Sequence, residues 1–231
     1  YNLVSTDEAV RQEFIASLRG IVQKAAAAGC KNVVVGGGHR NPHCPREVYS
    51  VHPDNFTNEA VDVLAESCLA ILDGLDLGDT KLVAETWVMT PLDRPERVKR
   101  LKDRVKHKNF GILFDPVNMM TLNRYFNNRS FFELCLDAFG DAISLVHAKD
   151  SLLVPVPFTY AMTEVEIGEG RLDYRSLLPL LRQLPEKTPI LIEHLQKTEQ
   201  YAAAARCLRA IADDIGVPFA VVTDCLPRRE G

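Results

Sequence analysis

Five times along this chain a short apolar run, rich in branched residues, breaks off at polar or turn-forming residues. In each case a helix-patterned stretch follows or precedes it. The runs are NVVVGGG, KLVAETW, FGILFDP, AISLVHAKD and TPILIEHL. Runs of this kind read as strands buried on both faces. The first helix is expected over Thr6–Ala28, where Val10, Phe14, Leu18, Ile21, Val22 and Ala25 recur at helical spacing. Ser5, Thr6 or Asp7 can cap its start and Gly29 ends it. Further helices are expected over about Asn58–Leu75 and Pro95–Val105, in a segment ending near Phe139, in LDYRSLLPLLRQL, and over about Glu199–Ile215. Strand and helix in alternation, with short turns, imply a parallel sheet. No linker or low-complexity segment interrupts it, so one domain over residues 1–231 is the simplest account.

The strand ends narrow the architecture. Four runs close on a metal-binding residue type: Glu85 in LVAETW, Asp115 in ILFDP, His147 in SLVHAKD and Glu193 in ILIEH. Parallel α/β sheets and barrels gather their active sites at the C-terminal ends of their strands. The fold class expected is therefore α/β, a TIM (β/α)8-type barrel. Counting backwards, Glu193 ends the eighth strand, and a short seventh strand lies around Thr163–Ile167, near Glu164. His147, Asp115 and Glu85 then end the sixth, fifth and fourth strands, and Val33–Val35 is the third. On that count six of the eight βα units are present, plus a C-terminal extension. The first two units would lie before Tyr1, and the chain, opening on Tyr1 without a methionine, reads as if something upstream is absent. Glu85 and Glu193 fall four strands apart and face each other across the mouth.

Three carboxylates and an imidazole suit one hard or borderline divalent ion, Mn²⁺, Mg²⁺ or Co²⁺, with Zn²⁺ also admitted. No thiolate joins the set, which speaks against a closed structural zinc site. Carboxylates crowded in a barrel mouth repel one another unless a cation neutralises them. Two of them beside a metal-held carbonyl compound suit proton transfer at carbon, one removing a proton and the other returning it.

Composition bounds the partners. Lys and Arg number 27 against 31 Asp and Glu, a net charge of −4, which disfavours a nucleic-acid backbone as main partner. No apolar run approaches the length of a membrane span, and the start lacks the basic and apolar segments of a signal peptide. The six cysteines are widely spread with no C-x-x-C, which reads as reduced thiols in a cytoplasm.

Several other residues are candidates for substrate contact, each with a plainer alternative. The long polar loop HRNPHCPREVYSVHPDNFT offers His39, Arg40, His43 and His52, with His39 just past a strand end; solvated loop residues are the alternative. Trp87 shares the Glu85 face and offers an apolar wall to a sugar, or packs ordinarily. Lys149 shares a face with His147 and binds a substrate oxyanion or pairs with a rim carboxylate. Glu164 touches substrate at the rim or sits on the surface. Asp150 reads as a loop or helix cap, Gly168–Gly170 as a turn rather than a dinucleotide site, and Arg94–Lys108 as a solvated helix face. The final PFAVVTDCL run has no place in the strand count.

VAETW, FDPVNM, HAKD, EVEIGEGRLDY and LIEHL, with the YNLVS start and the HPDN segment, resemble the sugar phosphate isomerase/epimerase family with the xylose-isomerase-like TIM barrel. The resemblance runs to about Gly216. It implies Glu85, Asp115, His147 and Glu193 as metal ligands, with Glu85 and Glu193 doubling as the acid/base pair. Asn118 falls where ketose 3-epimerase relatives carry a substrate-contacting His, and Leu153 where they carry an Arg; both departures count against a ketose 3-epimerase in particular. The function expected is a metal-dependent isomerase or epimerase acting on a small-molecule sugar, sugar phosphate or polyol-derived ketone, without nucleic acid or membrane; a second copy of the chain is admitted as a partner. Three readings compete with it. One is a lyase or dehydratase on the same residues. Another is an abasic-site endonuclease, which would call for more strand-end histidines than His147 and His39. The last is a non-catalytic metal-binding barrel fragment.

Overall fold

The computed structural model describes residues 1–219. In chain order its elements are α1 (Glu8–Ala27), β1 (Asn32–Val35), α2 (Asn58–Leu72), β2 (Lys81–Glu85), α3 (Pro95–Val105), β3 (Phe110–Phe114), α4 (Leu122–Phe126), α5 (Asn128–Phe139), β4 (Ile143–Ala148), β5 (Asp150–Val156), β6 (Thr159–Val165), α6 (Tyr174–Leu181), β7 (Ile190–Ile192) and α7 (Thr198–Asp214). Five strands form one parallel sheet in the order β1-β2-β3-β4-β7, the curved wall of an α/β barrel. The expected barrel architecture holds. The 220–226 part of the C-terminal apolar run lies outside the described residues.

Local chemistry starts and stops these elements where the sequence places them. Asp7 caps α1 by accepting from the amides of Ala9 and Val10, and Thr57 caps α2 by accepting from Ala60. Pro95 opens α3, where a missing amide hydrogen costs nothing. The helices cover the outer face of the sheet. Leu82, Ala84, Ile112, Phe114, Val146 and Ala148 of the strands pack there against Leu64, Cys68, Leu101, Phe132, Cys135 and Phe139 of the helices. The inner face carries a separate apolar layer of Val83, Leu113 and Leu145. Arg100 and Lys102 on α3 pair with Asp62 and Asp141, so part of the basic stretch is a charge-paired surface. Among the described residues no helix is long and apolar enough to cross a membrane, and the five described cysteines are unpaired.

The strand count changes at one place. The segment expected as the seventh barrel strand is instead the return arm of a hairpin. β5 follows β4 after a single residue, and β6 pairs with β5 antiparallel from Asp150↔Val165 to Val156↔Thr159. The two arms are joined by Pro157 and Phe158 alone, and so short a connection can only make an antiparallel pair. β6 therefore runs opposite to β4 and cannot extend the parallel wall. β4 pairs directly with β7, and Glu85 and Glu193 are three strands apart rather than four.

Asp150, where β5 begins, fixes the far end of this hairpin. Its buried carboxylate accepts from the amides of Ser151 (2.8 Å), Gly168 (3.0 Å), Gly170 (3.1 Å) and Leu172 (2.9 Å). A Cβ at Gly170 would collide with that carboxylate, so the glycine is required by close approach. Hydrogen bonds to a charged acceptor are worth roughly 1.5–3 kcal/mol each, and orphaned buried amides add to the loss. Asp150→Ala is expected to lower unfolding free energy by about 3 kcal/mol in a denaturant titration, and Asp150→Asn by less. A loss under about 1 kcal/mol for the alanine variant would show that the loop holds without it.

Candidate active site

The sheet builds the site in two layers. Val83, Leu113 and Leu145 form a buried apolar layer on the inner face, while Leu191, level with His147 in the register, is about half exposed. Two residues further along each strand stand Glu85, Asp115, His147 and Glu193, on the same face by the two-residue period. The apolar layer is the floor on which the polar layer rests.

The four polar side chains converge. One ligand atom from each lies within 4.8 Å of all the others. His147 Nδ1 sits 3.0 Å from Glu193 Oε2, 3.3 Å from Asp115 Oδ2 and 3.4 Å from Glu85 Oε1. Burial disfavours charge on His147, but its hydrogen bonds to Asp115 and Glu85 and the field of Glu193 outweigh it, raising its pKa to about 9. Lys149 Nζ lies 2.9 Å from Glu193 Oε2, 3.0 Å from Asp115 Oδ2 and 3.6 Å from Glu164 Oε1, with its side chain sealed from solvent. These are the pairings with rim carboxylates that the sequence suggests for it. Asn118 joins the cluster as a bridge, donating to Glu85 Oε1 (3.0 Å) and accepting from Lys149 Nζ (3.1 Å).

A divalent ion fits these residues. Glu193 Oε2 is buried and makes no hydrogen bond, although two cationic groups stand within 3.0 Å of it. Three carboxylates and an imidazole drawn to one point, with Glu193 Oε2 held there by ion pairing and not by an aligned hydrogen bond, are the donor chemistry that a divalent cation satisfies. Glu85, Asp115, His147 and Glu193 are thus a group that can hold a metal ion.

Above this cluster opens a cavity of about 540 Å³. Glu85, Trp87, Asn118, Glu164 and Glu193 line it, as the sequence suggests, and so do Tyr1, Val48, Tyr49, Thr90 and His194, which sequence reasoning did not single out. Trp87 packs edge-on against Tyr49, ring centroids 4.9 Å apart. Glu164 reaches the rim because the hairpin brings it there, its Oε2 2.8 Å from His194 Nδ1. Residue 194 follows Glu193 and in an extended strand would face away. Its backbone is left-handed, φ 61°, and that turn brings the imidazole into the mouth.

Two expected contacts lie elsewhere. His39 is buried beneath the loop, its Nε2 2.9 Å from the carbonyl of Glu47 and 3.4 Å from Asn2 Nδ2, and its amide donates to Asn2 Oδ1 (3.0 Å). It pins the polar loop to the N-terminal segment and does not line the cavity. His52 caps the short 3₁₀ turn Pro53–Phe56 by accepting from the amide of Asp54. Arg40 pairs with Glu59 and donates to the carbonyl of Val4; His43 does not line the cavity either. Loop segments cannot leave buried polar groups unpaired, and His39 and Arg40 serve that need.

The chain matches the xylose isomerase-like TIM barrel family over residues 1–211. It belongs to that family. No curated protein matches it. Among solved structures, a D-tagatose 3-epimerase-like protein is 19% identical with a TM-score of 0.70, covering 93% of this chain and 74% of that one. A xylose isomerase-like TIM barrel protein from Mycobacterium smegmatis, solved in complex with magnesium, is 16% identical with a TM-score of 0.63, covering 93% and 70%. Endonuclease IV from Thermus thermophilus is 18% identical with a TM-score of 0.66, covering 92% and 72%. At these identities the likeness establishes the shared fold, and the family spans more than one chemistry.

The raised pKa of His147 has two measurable consequences. Its folded value lies above its ordinary 6.5, so the metal-free fold gains stability from the protonated imidazole at low pH. That gain is full below about 6.5 and disappears as pH rises through about 9. A metal ion must displace the same proton. Apparent Mn²⁺ affinity is expected to rise about tenfold per pH unit between roughly 7 and 9 and then level off, with calorimetry in buffers of different ionisation enthalpy recording about one proton released per ion. An affinity flat over that range would contradict the assignment of His147 as a ligand.

Proposed function

We propose that this chain is a divalent-metal-dependent isomerase or epimerase acting on a sugar, sugar phosphate or polyol-derived ketone. The observation that carries the reading is the convergence of Glu85, Asp115, His147 and Glu193 within 4.8 Å of one another at the floor of an open cavity. A relative of the same fold solved with magnesium and an epimerase-like relative support it. The ion is Mn²⁺, Mg²⁺ or Co²⁺, with Zn²⁺ also compatible with the donors. When bound, it supplies a Lewis acid that favours negative charge on the carbonyl oxygen of the substrate.

The chain's own residues do the rest. One glutamate of the pair Glu85 and Glu193 takes the proton from the carbon next to the carbonyl, and the other delivers a proton to the resulting enediolate. They suit this division because they reach the cavity from β2 and from the end of β7, on different sides of His147 in the sheet order. Asn118 orients Glu85 through its amide, and Lys149 stands beside Asp115 and Glu193 and offsets their charge. The floor of Val83, Leu113 and Leu145 keeps water from entering beneath the ligands. The 1–231 span is read as one unit serving this site.

Glu85→Gln and Glu193→Gln are each expected to reduce exchange of solvent deuterium into a bound ketose about 10³-fold, with mass spectrometry as the readout. Retained exchange in both variants would remove the glutamates from the chemistry. A product lighter by water would identify a dehydratase working through the same first proton transfer.

A further inference from the structure

We propose that Lys149 is a built-in rival of the metal ion. Its ammonium stands in for the cation in the metal-free chain and weakens the grip of Asp115 and Glu193 on a divalent ion, so that the ion binds exchangeably. This rests on the metal-dependent reading of the site and adds the residue that sets how tightly the ion is held.

The contacts of the ammonium carry the inference. Lys149 Nζ lies 3.0 Å from Asp115 Oδ2 and 2.9 Å from Glu193 Oε2. Those same two oxygens approach His147 Nδ1, at 3.3 and 3.0 Å, so they belong at once to the ammonium and to the group that can hold an ion. Metal–oxygen bonds at such sites run to roughly 2.4 Å. An ion bonded to either oxygen therefore stands within about 5 Å of an ammonium that keeps these contacts. A dication and an ammonium at that range repel strongly in a partly buried site.

Withdrawal of the ammonium does not remove the conflict. The Lys149 side chain is sealed from solvent. Its backbone sits between β4 and β5, and the Tyr174 hydroxyl donates to its carbonyl (2.6 Å). The partners left to the ammonium are Asn118 Oδ1 (3.1 Å), His194 Nδ1 (3.2 Å) and Glu164 Oε1 (3.6 Å), all in the same cluster. Exchanging Asp115 and Glu193 for these gives up two close carboxylates and gains none, and a buried charge that loses its partners is costly. Either the ion tolerates the ammonium or the ammonium forfeits its ion pairs, and both subtract from affinity. In the metal-free chain the same charge offsets the repulsion of the carboxylates. Lys149 thus favours the metal-free state twice over, as a partner of the ligands and as an opponent of the ion.

The test compares the wild-type chain with Lys149→Met, which removes the charge at similar length, and Lys149→Gln, which keeps a hydrogen-bonding end. Titration calorimetry with Mn²⁺ at one fixed pH and low ionic strength is expected to show tighter binding by about tenfold or more in both variants. Thermal unfolding supplies the second readout: each variant melts below wild type without metal and regains most of the difference at saturating Mn²⁺. A variant that folds only with Mn²⁺ present supports the stand-in role as well. Affinity unchanged or weakened in both variants, an equal loss of melting temperature with and without Mn²⁺, or failure to fold even with Mn²⁺ would make Lys149 a purely structural partner and overturn the inference, while Mn²⁺ binding by wild type keeps the metal-dependent reading. No Mn²⁺ binding by wild type or either variant would overturn both.

Discussion

The structure depends on electrostatic crowding held in check. Three carboxylates and a buried imidazole stand at one point of a parallel sheet, at separations where like charges repel strongly. Two cations answer that repulsion in the protein alone: Lys149 between Asp115 and Glu193, and His147, whose pKa the same carboxylates raise. Asn118 ties Glu85 to Lys149, so no member of the cluster stands apart. The sheet enforces the crowding because inward-facing residues at strand ends have nowhere else to go. The apolar layer beneath them denies the carboxylates a second route to water.

The walls of the mouth come from what the parallel sheet does not supply. The loop after β1 brings Val48 and Tyr49, and it keeps its course because Asn2, His39 and Asn55 satisfy its backbone from within. The hairpin of β5 and β6 brings Glu164, and it is anchored where Asp150 gathers four amides. A barrel wall holds the cluster, and irregular chain chooses what reaches it.

This division explains what the sequence makes legible. Glu85, Asp115, His147 and Glu193 can be read because strand periodicity is strict and parallel strands present their C-terminal ends to one side. The hairpin is harder to see because Pro155 and Pro157 sit in it, and proline argues against a strand unless the strand is an edge. His39 follows a strand end, yet its partner Asn2 is remote in sequence, and only packing reveals that the pair is structural. His194 escapes for the opposite reason. Period-two alternation sends it away from the cavity, and a single left-handed residue reverses that. The motif LIEHL contains it, but nothing local signals its φ.

The most direct test of the central claim is anomalous diffraction at the manganese edge from crystals grown with Mn²⁺. The account predicts one peak per chain, surrounded by Glu85, Asp115, His147 and Glu193 at about 2.0–2.4 Å, the range of such bonds. A site without a peak, with the Lys149 ammonium alone offsetting Asp115 and Glu193, or a peak held by other residues, would contradict it.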